Sequence, residues 1–168
     1  MKGFIVAGVA ALLLYGCGKA EQKDAAFVPA HDIKALMATV VQPQADVFWK
    51  SAGTVTDENG PVDLTPTTDE AWLQTRSAAA TVAEMGNLLM TPQYAQGRGE
   101  DWMEFSRSLV QIGLRAEQAA VDRDSEAIFE VGGIMYNVCT ACHQVYPPAA
   151  GEEPEPAANG NQAGNAAS

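Results

Sequence analysis

Apolar residues recur three and four apart along most of this chain, the spacing that a packed α-helix requires. Trp72, Thr75, Ala79, Val82, Gly86 and Leu89 follow one another at intervals of 3, 4, 3, 4 and 3. Trp102, Phe105, Leu109, Ile112, Ala116 and Ala119 repeat the series, as do Ile128, Val131, Met135, Val138, Cys142 and Val145. An earlier stretch, Ile33, Met37, Val40, Gln44 and Val47, steps by 4, 3, 4 and 3, with Leu36, Val41 and Phe48 beside it. Each set forms one face of a helix with 3.6 residues per turn. Four such helices pack most simply side by side, so the expected fold class is all-α: an antiparallel four-helix bundle over residues 31–147. Aromatic residues make up only 7% of the chain and β-branched runs are few, which disfavours an all-β sandwich.

Local signals set the boundaries. Pro43 interrupts the first stripe and removes a backbone donor, which predicts a kink or a break just before it. Residues 51–66 carry Gly53, Gly60, Pro61 and Pro66 and read as a long loop. Thr67 and Glu70 offer a capping box for the second helix, which Pro92 and Gly97-Arg98-Gly99 end. Asp124 or Ser125 is the expected N-cap of the fourth helix, and Pro147-Pro148 stops it. Residues 148–168 hold no large apolar side chain and read as a disordered tail.

The N-terminus looks like an export signal. Lys2 precedes an apolar run from Gly3 to Leu14, about a dozen residues where a membrane span needs roughly 20. The run ends Leu14-Tyr15-Gly16-Cys17, which resembles a bacterial lipobox, with Tyr15 departing from the pattern. The expectation is a lipoprotein-type signal peptide over 1–16, lipid attachment at Cys17, a polar tether over 17–30, and a periplasmic location anchored to the membrane. The net charge of −11, from 10 basic and 21 acidic residues, argues against a nucleic-acid partner and favours basic protein partners. Setting Cys17 aside leaves two of the three cysteines, and these share one motif.

That motif is Cys139-Thr140-Ala141-Cys142-His143. The pattern C-x-x-C-H is the attachment signal of c-type haem. Residues three apart lie on one side of a helix, so both thiols can reach the vinyl groups along one haem edge. His143, four residues after Cys139, can swing beneath the ring as the proximal iron ligand. A thioredoxin-like redox pair would need a βαβ context, of which the chain shows none. A structural zinc site would need four ligands, and only His31 remains as a further nitrogen or thiolate candidate. A disulfide between Cys139 and Cys142 would close a strained loop within a helix.

With this motif near the C-terminus, on the last of four helical segments, the chain resembles the class II cytochromes c, the cytochrome c prime and cytochrome c-556 group. Ala119 to Asp124 followed by Phe129-Glu130-Val131-Gly132, Trp102, and Glu84 to Leu89 extend the resemblance, which covers residues 32–146. It implies one covalent haem c on the C-terminal helix and a distal residue on the first helix. Met37 matches that distal position, with ordinary core packing as its other reading and His31 as a rival ligand. Met ligation implies one-electron transfer with redox partner proteins and no enzymatic reaction. A non-ligating residue implies an open iron that binds nitric oxide or carbon monoxide, and a vestigial haem in an assembly lipoprotein is a third possibility. Gas-binding members carry a basic residue four after the haem histidine. Pro147 stands there, which favours electron transfer. The resemblance also implies a homodimer through the first two helices.

Overall fold

The computed structural model describes residues 27–148. It is mostly helical and bundle-like: long packed helices plus one short hairpin. The leader, Cys17, the tether up to Ala26 and the tail from Ala149 onward lie outside the described residues. The first helical stretch comprises α1 (Ile33–Leu36), a π-turn (Met37–Val41) and α2 (Gln42–Trp49). A hairpin of β1 (Thr54–Asp57) and β2 (Gly60–Asp63) follows, then α3 (Asp69–Leu89), the single turn α4 (Pro92–Ala95), α5 (Glu100–Asp122) and α6 (Ser125–Val145).

Helices α3 and α5 form the closest pair and run antiparallel. Arg123 meets Asp69 at 2.6 Å at one end, and the Trp102 indole donates to the Leu89 carbonyl at 2.7 Å at the other. Small residues make the approach possible. A Cβ added at Gly113 would lie 2.7 Å from the Ala83 backbone nitrogen, and one at Gly86 would lie 2.8 Å from the Ser106 carbonyl. α6 packs on α5, and α2 bridges α3 and α6. The buried Thr75 hydroxyl donates to Ser51 Oγ at 2.8 Å, and the Trp49 indole donates to the Gly132 carbonyl at 2.9 Å. Phe48, Val82, Ile128 and Met135 fill the centre and are fully buried.

The α5–α6 corner turns on Arg123, which caps α5 in the left-handed region at φ 55°. Its backbone N–H and that of Asp124 reach back to the carbonyls of Ala120 and Ala119, which satisfies the helix end. Of the two expected caps, Asp124 rather than Ser125 caps α6, accepting from the Ala127 N–H at 3.0 Å.

Three expectations need correction. The segment 51–66 is not an unstructured loop. Thr54, Val55 and Thr56 favour an extended backbone, Asn59 N–H donates to Asp57 Oδ1 at 2.7 Å in a two-residue turn, and Gly60 takes φ +117°. The cap of α3 is Thr68 rather than Thr67: its extended backbone places the hydroxyl to accept from the Ala71 N–H at 3.1 Å. The first stripe also shifts phase at the π-turn. The buried line runs Leu36, Val41, Ala45, Phe48, while Gln44 and Val47 are only half-buried.

Gly113→Ala is expected to destabilise the protein by about 1–3 kcal/mol, because its methyl meets backbone rather than a flexible side chain. Gly133→Ala, on the open side of α6 with no atom near the added Cβ, is expected to stabilise it by about 0.5–1 kcal/mol. Denaturant titration of the two variants checks the contrast.

Candidate functional site

The last turns of α6 carry Cys139, Cys142 and His143 past the end of the tightly packed α3–α5 seam. The core line of α6 is Ile128, Val131 and Met135, and continuing it by three and four residues brings Val138 and Cys142 to the same side. Both cysteines are half-buried with free thiols, and His143 is exposed. The fourth expected site residue comes from the opposite end of the chain. Met37, half-buried at the start of the π-turn, packs against the core and faces the same cleft.

This cleft encloses only about 60 Å³ and lies among the π-turn, α2, α5 and α6. Met37, Cys139, Cys142 and His143 line it together, with Leu89, Trp102, Phe105 and Leu109 among the other wall residues. A wider opening of about 470 Å³ shares Met37, Trp102, Cys142 and His143 and extends toward Lys34, Arg98 and Tyr146. The wider opening falls in the volume range of small-molecule and cofactor sites, and the lining of both is predominantly apolar.

The mouth is held by an aromatic and charged cluster. Tyr146 stacks edge-on against Trp102 with centroids 5.0 Å apart and donates its hydroxyl to Asp101 Oδ1 at 2.7 Å. The carboxylate raises the Tyr146 phenol above its ordinary value, since that hydrogen bond favours the protonated form. The Arg98 guanidinium sits 4.2 Å from the centre of the Trp102 ring and donates to the Tyr94 carbonyl at 2.6 Å. Tyr94 in turn donates to the His31 carbonyl at 2.7 Å, tying the segment before α1 to the turn after α3.

Burial governs the thiols. It raises the Cys139 thiol above its ordinary value. It raises Cys142 to about 11, helped by Cys139 and Asp101 and opposed by Arg98. At neutral pH both thiols are therefore protonated, unlike the thiolates of metal or redox-exchange sites. Among the described residues no group of three or more His, Cys, Asp or Glu side chains converges as a bare metal site. The donor set instead suits a bulky apolar group held by two sulfurs, with one imidazole and one thioether available to its metal. Two thiols and an imidazole in this spacing are the residues that would hold a covalent haem.

His31 is exposed and lines neither cleft, so it does not accompany the other candidates. Met135 is fully buried in the core, and Met85 and Met103 pack against it. The cleft walls Phe105 and Leu109 were legible only as core stripe, because a wall and a core use the same residue types. Arg98 sits between two glycines in a connection, and no motif marks it. Comparison with family models, curated proteins and solved structures finds no match to this chain.

For the chain with both thiols free, alkylation of Cys142 at pH 8 is expected to be slower than that of an unstructured cysteine. Because its folded pKa lies above the unfolded value of 9.0, its stabilising contribution is complete below pH 9 and is lost as pH rises toward about 11. Iodoacetamide kinetics, and denaturant midpoints across that window, measure both effects.

Proposed function

We propose that the protein is a monohaem c-type cytochrome that transfers single electrons. In this reading the fold is an antiparallel four-helix bundle, with the haem attached to Cys139 and Cys142 of α6, His143 as proximal ligand and Met37 as distal ligand. One observation carries the proposal. The thioether of Met37 and the Cys-x-x-Cys-His motif, about a hundred residues apart, line one apolar cleft.

Bound there, the iron would supply a one-electron couple, and the rest of the function follows from the protein's own residues. Leu89, Phe105 and Leu109 exclude water from the cleft, and the resulting low dielectric disfavours added charge at the metal. A thioether is a soft, weak donor that favours the reduced metal and raises potential. The imidazole of His143 extends from the last turn of a helix anchored by the Tyr146–Asp101 hydrogen bond, which limits its movement between redox states. The net charge of −11 steers basic redox proteins toward the molecule, an attraction that added salt weakens. No substrate bond changes in this role, so the protein is not an enzyme. Export by the leader and lipidation of Cys17 would hold it at the periplasmic face of a bacterial membrane.

Absorption spectra of the haem-loaded protein test the ligand set. Wild type is expected to be low-spin in both redox states, with a weak sulfur-to-iron charge-transfer band in the ferric form. Met37→Ala should become high-spin, lose the band, bind carbon monoxide rapidly when reduced, and fall in potential. A wild-type protein that is already high-spin and takes up carbon monoxide stoichiometrically would establish the alternative, an open iron that binds nitric oxide or carbon monoxide.

A further inference from the structure

The first helical stretch contains a π-turn that begins at Met37 itself, with the Gln42 N–H bonding to the Met37 carbonyl five residues back. Its cause stands two residues beyond the turn. Pro43 has no N–H, and in a straight α-helix its ring would press on the Thr39 carbonyl four residues earlier. Widening the preceding turn relieves that contact. The Thr39 hydroxyl donates to the Ala35 carbonyl at 2.6 Å and so supplies a side-chain partner within the distorted segment.

The turn changes which residue faces the cleft. In a straight helix, with Val41 as reference, Met37 would lie about 40° toward the side of Ser51, which meets α3. Ala38 would lie about 60° toward the opposite side, that of Trp49, which meets α6. Leu36 would lie about 140° from Val41 and point away from the core. A π-turn inserts one residue into the register and rotates the preceding segment by about 100°. Leu36 then takes the place of Met37, and Met37 takes the place of Ala38. The burial follows the rotated pattern: Leu36 and Val41 are both buried although five apart, Met37 lines the cleft with Cys142 and His143, and Ala38 is exposed.

We infer that Pro43 is a positioning residue: through the π-turn it selects Met37 rather than Ala38 as the side chain presented to the haem cleft. The inference rests on the proposed haem site for its chemical consequence, and on the helix register alone for its geometry.

Pro43→Ala is the test, and on propensity grounds it favours the helix because Ala is the better helix former. Its ferric haem-loaded form is expected to lose the sulfur-to-iron band while far-UV helicity and the melting temperature hold or rise. A ligand swap makes the effect directional. Met37→Ala with Ala38→Met should lack the band when Pro43 is present and regain it when Pro43→Ala is added. Retention of a Met37-dependent band in Pro43→Ala would overturn the inference and leave the ligand assignment intact. If wild type shows no band that depends on Met37, the ligand assignment fails, and a crystal structure of Pro43→Ala still decides the register. Gln42 N–H on the Ala38 carbonyl with Ala38 facing the cleft would support the inference, whereas a persisting bond to the Met37 carbonyl would refute it.

Discussion

The close approach of α3 and α5 sets the geometry of everything around it. Gly86 and Gly113 remove the side chains that would hold the two backbones apart, so the helices meet along a seam of small residues. Such a seam has no room for a cofactor. At Leu89 and Trp102 large side chains succeed the small ones, and α6 and the first helical stretch pack beside them around the cleft. The cleft lies at the Leu89–Trp102 end of the seam, and the Cys-x-x-Cys-His motif is delivered to that end by the length of α6.

Contacts distant from the cleft fix how α6 arrives there. The left-handed corner at Arg123 and the Asp124 cap start the helix, and the Trp49 indole bonded to the Gly132 carbonyl holds its middle. Tyr146 closes its end against Asp101 and Trp102. A helix held at three levels presents Cys139, Cys142 and His143 in one orientation. That is the preorganisation a metal ligand set needs, because the side chains need not be ordered when the group binds.

The long helices α3, α5 and α6 were legible because burial on one face imposes a 3.6-residue period, and their stripes continue for five or six turns without a breaker. The α6 cap was narrowed to Asp124 or Ser125, because both side chains can accept from a first-turn N–H, and the backbone assigns it to Asp124. The first stretch was only partly legible. A period read over many residues averages across a single inserted one, so the stripe starting at Ile33 passed over the phase shift that buries Leu36. The hairpin was missed because its strands are short and exposed, so no alternating burial marks them. At the cleft, Cys139, Cys142 and His143 stood out through the Cys-x-x-Cys-His motif, and Met37 through the resemblance, which placed a residue of the first helix opposite them. Trp102, Phe105 and Arg98 did not, since what distinguishes them is where α5 and the preceding turn place them.

The claim on which the account rests is that Cys139 and Cys142 hold a haem covalently. Intact-mass spectrometry of the protein, matured in a host that attaches haem c and then extracted with acidified organic solvent, tests it most directly. The account predicts a chain heavier by one haem that survives extraction, with no free thiol at Cys139 or Cys142, and a bare chain mass for the variant Cys139→Ala with Cys142→Ala. A wild-type chain at bare mass, with both thiols open to alkylation after denaturation, would contradict it.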